Sequence, residues 1–138
     1  MGVGLSFQPE DAFLTLLDEA LRRDVDYYEV APETLWWEDA AGKLVPNGYH
    51  HRLQRLVAET GKQVVGHGVG LSLCGADRRD RPRRRRWLAR LAEDHQVLGF
   101  RWYTDHLGVS APAGQAAPPR GPCTTPAAAA SPPAPRAR

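Results

Sequence analysis

The chain has 138 residues, 42% of them hydrophobic, and a formal net charge of +2. That length suits one ordinary domain, and the charge is too mild to argue for a nucleic-acid partner by itself. The longest apolar runs fall far short of the roughly 18 residues that a spanning helix needs, and the N-terminus shows neither a basic stretch nor an apolar core of the signal-peptide kind, so the expectation is a soluble cytoplasmic protein without a membrane partner.

Val3–Phe7 is a short apolar run and reads as a first strand. Pro9, Glu10 and Asp11 follow, a proline with acids at a helix start. Phe13, Leu14, Leu17 and Leu21 then recur at three- and four-residue spacing, which predicts a helix closed by Arg22 and Arg23. Val25–Val30 is the second strand, stopped by Pro32. Glu29 lies at its end, with Glu33 just beyond. Thr34–Gly48 reads as a long loop with one helical turn. Tyr49–Thr60 is a second helix with Leu53, Leu56 and Val57 on one face and Gly61 as its stop.

The segment Gln63–Leu73, QVVGHGVGLSL, organises the rest. Val64 and Val65 are β-branched and predict a buried strand. Gly66 and Gly68 are expected to end it and to admit a close neighbour. His67 then stands where a strand gives way to a loop, the place where parallel α/β architectures hold ligands. Asp80 and Pro82 start a third helix from Arg81 to His95, with Trp87, Leu88 and Leu91 as its apolar face. Val97–Tyr103 is the fourth strand and runs into Thr104-Asp105-His106. The fold class predicted is α/β, with strands roughly 25 to 35 residues apart in the rhythm of parallel βαβ units. Glu29, His67, Asp105 and His106 all fall at strand ends.

Residues 111–138 hold no acid, no aromatic residue and no Leu, Val or Ile. Such a segment cannot offset its ordering entropy, and it reads as a disordered tail rich in Ala and Pro, separate from a folded region of residues 1–110. Four βα units are half of the usual eight, so a truncated or frameshifted reading frame is the expected origin of the tail. Cys74 and Cys123 make no disulfide framework. His50 and His51 open a helix and are expected to be solvated. His95 suits a helix C-terminus. Arg83–Arg86 reads as a solvated outer face rather than a nucleic-acid or acidic-peptide patch, and the four tryptophans as packing residues.

Four blocks carry a family resemblance: GVGLSF at 2–7, YYEVAPE at 27–33, HGVGLSL at 67–73 and TDHLG at 104–108. Through them the chain resembles the DUF692 family, also called UPF0276, of multinuclear non-heme iron-dependent oxidases that modify ribosomally made peptides. The resemblance implies the N-terminal half of a TIM-type barrel, similar to xylose isomerase-like folds. It implies two or three iron ions, with His67 and His106 as ligands. Glu29 and Asp105 would act as ligands or as groups that orient a histidine. It also implies O₂-dependent oxidation of a cysteine-containing peptide, delivered with a partner recognition protein. Thr34 stands where the family often has Asn. A non-catalytic fragment, or a half-barrel that self-associates through its open edge or needs another chain to complete its metal site, is the alternative.

Overall fold

The computed structural model describes residues 2–74 and 78–107. The proposed tail and Cys123 lie outside the described residues. The first strand, β1, is Gly4–Ser6, and the following helix begins as α1 at Asp11–Leu16. The helix continues through Leu17 into a π turn at Ala20–Asp24. Its end is set by competition for carbonyls. The Tyr28 hydroxyl and the Lys62 ammonium both donate to the Leu21 carbonyl, and Lys62 also donates to that of Arg22.

Strand β2 is Tyr27–Val30, in parallel register with β1. Tyr28 and Val30 are fully buried. The expected long loop after it is more ordered than its composition suggests. A 3-10 turn at Pro32–Leu35 leads into an antiparallel hairpin of β3 (Trp36–Glu38) and β4 (Leu44–Pro46). The Asp39 carboxylate accepts from the amides of Ala41 and Lys43 and so closes the hairpin loop. Asn47 then caps α2, Gly48–Thr60, by accepting from the amides of Tyr49 and His50.

Strand β5 is Gln63–Gly68 and passes through Gly66-His67-Gly68 rather than stopping at the glycines. Helix α3 runs from Arg81 to Leu98, three residues further than expected. It therefore takes Val97 and Leu98, which the sequence places in a strand. Gly99, at φ +63°, supplies the left-handed residue that ends it. The last strand, β6, is consequently only Tyr103–Asp105. Two further expectations change. Leu88 is 53% exposed rather than part of the apolar face of α3, and His50 is buried rather than solvated.

The result is mixed α/β. A parallel sheet in the order β1-β2-β5-β6 repeats the chain order, and the hairpin stands apart as a second sheet. The sheet is open among the described residues, with β1 and β6 as its edges. Phe7, Leu14, Leu21, Tyr28, Leu53, Leu56, Val64, Leu91 and Leu98 share one core between the sheet and its helices. Burying each such leucine is worth about 1.5–3 kcal/mol. Beneath the hairpin lies a polar cluster. Asp94, fully buried, accepts from His50 Nε2 (2.9 Å), from Trp36 Nε1 (2.6 Å) and from the Arg90 guanidinium. It thereby joins α2, α3 and β3. No helix among the described residues is long and apolar enough to cross a membrane.

Candidate metal centre

The parallel register places Gly66 beside Tyr103, His67 beside Thr104 and Gly68 beside Asp105. Because side chains alternate along a strand, this splits the candidate residues between two faces. Glu29 pairs with Val65, so Glu29 and His67 share a face. Tyr103 and Asp105 share the opposite face, which carries the buried Tyr28, Val30 and Val64. His106 lies one residue past β6.

On the first face, His67 Nε2 and His106 Nε2 are 3.0 Å apart. His67 Nδ1 lies 3.5 Å from Glu29 Oε1. A proton held on Nδ1 toward this carboxylate leaves Nε2 as a bare lone pair aimed at His106, the arrangement by which carboxylates orient metal-binding histidines. Two imidazole nitrogens bound to one ion at about 2.1 Å and a right angle to each other would be about 3.0 Å apart. The pair therefore fits two adjacent ligands of a single cation, and a mixed nitrogen and oxygen donor set suits iron or manganese. Among the described residues no group of three or more His, Cys, Asp or Glu is arranged to hold an ion.

On the other face the Tyr103 hydroxyl donates to Asp105 Oδ2 at 2.7 Å, while Asp105 Oδ1 is buried with no partner among the described residues. Burial, and then the bond to Asp105 and the negative charges of Asp105 and Glu33, hold the Tyr103 hydroxyl far above the usual tyrosine value. Tyr103 thus remains a donor at any physiological pH. The two glycines around His67 are explained here. A Cβ on Gly66 would lie 2.6 Å from the Tyr103 ring, and one on Gly68 only 1.8 Å from its hydroxyl. The expected close neighbour is Tyr103.

Glu33, the last residue of the 27–33 block but given no role by the sequence, proves central to the loop after His67. Its Oε1 accepts from the amides of Val69 and Gly70 at 2.7 and 2.9 Å. From the other side Arg83 donates to the carbonyls of Gly70 and Leu71 at 2.8 and 3.2 Å. Arg83 is itself held by Asp80 and lies 4.9 Å over the Trp87 ring. Asp80 spends its carboxylate on this task and makes no helix cap. The bond to Arg83 keeps the Asp80 carboxyl below its ordinary value, against the opposing effect of burial. A run of arginines conceals such a role in the sequence, because nothing in the run distinguishes Arg83 from its neighbours.

A family model described as RiPP precursor modification enzyme MbnB/TglH/ChrH matches residues 1–120. The chain belongs to this family. A UPF0276 protein of Streptomyces avermitilis is 36% identical to this MbnB/TglH/ChrH member over 107 residues. The match spans 78% of the present chain and 18% of that relative, so the chain covers less than a fifth of the relative's length. No solved structure matches it. The family description names the modification of RiPP precursors, and the converging imidazoles lie in the two blocks, 67–73 and 104–108, that carry the resemblance.

Proposed function

We propose that this chain supplies the first part of a metal centre that oxidises a cysteine-containing peptide made on the ribosome, with iron as the metal and O₂ as the oxidant. The observation that supports this reading is the pair of Nε2 atoms at 3.0 Å with a carboxylate behind one of them. His67 and His106 are the proposed ligands. Glu29 holds the proton on His67 Nδ1 and keeps the ring turned toward the metal. Asp105, on the far face, fixes the strand end from which His106 projects. Bound iron would bind O₂ and relay to it electrons drawn from the peptide, and the protein residues orient, hold the proton at Nδ1 and shape the approach. A partner recognition protein presents the peptide, and the cytoplasm is the proposed compartment.

The sheet order favours a second element of the proposal. Four parallel strands in chain order, open at β6, are similar to half of a TIM-type, xylose isomerase-like barrel. The remaining strands, with further carboxylate and histidine donors, come from additional polypeptide of the same chain or from a second chain. An apolar groove of about 550 Å³ along β6, whose walls include Leu91, Phe100 and Trp102, is available for them.

The test is anaerobic titration with ferrous iron followed by elemental analysis, with His67→Ala and His106→Ala in parallel. Each variant is expected to lose most of the retained iron while keeping its far-UV spectrum. Retention at the wild-type level by both variants would remove the ligand assignment. Light scattering with and without iron reads the second element, since a chain completed by a copy of itself gains mass when the site fills.

A further inference from the structure

Residues 78–86 hold seven arginines and one acid. Arg83 and Arg86 each tie α3 to another part of the fold. Arg83 grips the loop after β5, and Arg86 donates to the Glu38 carboxylate and the Gly42 carbonyl of the hairpin. Three others, Arg81, Arg84 and Arg85, surround a groove of about 340 Å³ whose remaining walls are Leu71, Leu73 and Leu88. Leu73 and Leu88 are 51% and 53% exposed. Arg84 contacts Asp80 at 3.6 Å, and the exposed Arg81 and Arg85 give the rim its positive charge. The groove combines an apolar floor with a guanidinium rim.

Its position matters. Leu71 and Leu73 follow His67 by four and six residues, and the groove lies against the first turns of α3. It therefore lies past the C-terminal end of β5, against the N-terminal half of α3. We infer that this groove docks an acidic peptide segment carrying leucine-like side chains. Carboxylates pair with the guanidinium rim in the fork geometry that arginine favours, and the apolar side chains cover Leu73 and Leu88. A single-stranded nucleic acid is disfavoured because no aromatic residue among the described residues lines the groove to stack a base. The inference rests on the peptide-modifying reading only for the source of the segment, which would be the precursor peptide itself.

The experiment uses the full chain without metal and follows fluorescence anisotropy of a labelled peptide with leucines at i, i+3 and i+4 spacing and glutamates between them. Comparison probes are the same peptide with lysine in place of glutamate and an oligouridine RNA. Saturable binding of the acidic peptide is expected. It should weaken by about tenfold or more in Arg81→Glu/Arg85→Glu and in Leu88→Asp, both checked for unchanged far-UV spectra. Equal or tighter binding of the lysine peptide or of RNA, no binding of the acidic peptide, or wild-type affinity in both variants would overturn the inference. Since no iron is present, any of these results leaves the metal-ligand proposal standing, and loss of iron binding in the histidine variants leaves the docking groove standing.

Discussion

His50 and Asp94 lie 44 residues apart and meet through a 2.9 Å hydrogen bond between two buried side chains. Asp94 is the common acceptor for α2, α3 and the hairpin, and Arg90 is buried beside it. Asp94→Ala would leave that guanidinium without its buried counter-charge. The expected cost is about 3–5 kcal/mol, the range for breaking a buried ion pair. Urea denaturation measures it, and a loss under 1 kcal/mol would show that water or relaxation replaces the carboxylate.

The same carboxyl predicts an acid limb of stability. Burial alone raises its affinity for a proton, but the hydrogen bonds from His50, Arg90 and Trp36 more than reverse this, and Asp94 sits below the usual value. A depressed folded-state value stabilises the fold above the unfolded aspartate pKa, about 3.9. That contribution disappears as pH falls through the folded value. Asp80, also depressed, acts in the same direction. The urea midpoint should therefore drop below about pH 4. The gap between wild type and Asp94→Asn should narrow from pH 7 to pH 3. A gap that stays constant would refute the linkage.

Gly68→Ala should disturb the centre without touching a proposed ligand. Its new Cβ would meet the Tyr103 hydroxyl at 1.8 Å and Asp105 Oδ2 at 2.5 Å. Both groups are partly buried and bonded to each other, so the strand end must move. Overpacking of this kind costs about 1–3 kcal/mol, and iron retention should fall with it. Combining Gly68→Ala with Tyr103→Phe should restore part of the stability, since the closest clash is with the hydroxyl. No recovery in thermal unfolding would locate the strain elsewhere.

Glu33 offers a split between stability and site. Two amide bonds to its carboxylate, with Arg83 on the opposite side, hold residues 69–71. Glu33→Ala is expected to lower stability by about 1–3 kcal/mol. It should also raise hydrogen exchange at Val69 and Gly70 selectively and weaken iron binding. Glu33→Gln, which keeps one carbonyl acceptor, should recover part of the protection. Unchanged exchange at these two amides in Glu33→Ala would remove the proposed role.

The alternation of strand and helix is legible because its signals are local. Leu53, Leu56 and Val57 carry a helical period, Gly61 ends that helix, and Val64-Val65 has the branching of a buried strand. The hairpin is missed because Trp36 and Trp37 sit among acids and turn residues. A five-residue connection containing Gly42 between two β-prone runs is the signal that could have found it. The last strand is misplaced because Val97 and Leu98 favour a strand locally, while Gly99 and the packing of Leu98 extend the helix. His67 and His106 are legible as a pair through their motifs. The burial of His50 is not, because its partner Asp94 is visible only once α2 and α3 pack together. The face on which Asp105 lies likewise depends on where β6 begins, and a shift of one residue reverses it.

The fit of Tyr103 against the strand beside it has a consequence for how this protein can vary. Its ring fills the space that side chains at 66 and 68 would otherwise occupy. These three positions form one packing unit with a fixed total volume, and drift at any one of them is tied to the others. Relatives that keep tyrosine at 103 should keep glycine at both neighbours, whereas a smaller residue at 103 releases 66 and 68 to alanine or serine. Joint substitution at these sites, with His67 unchanged between them, is the evolutionary signature that the close contact implies.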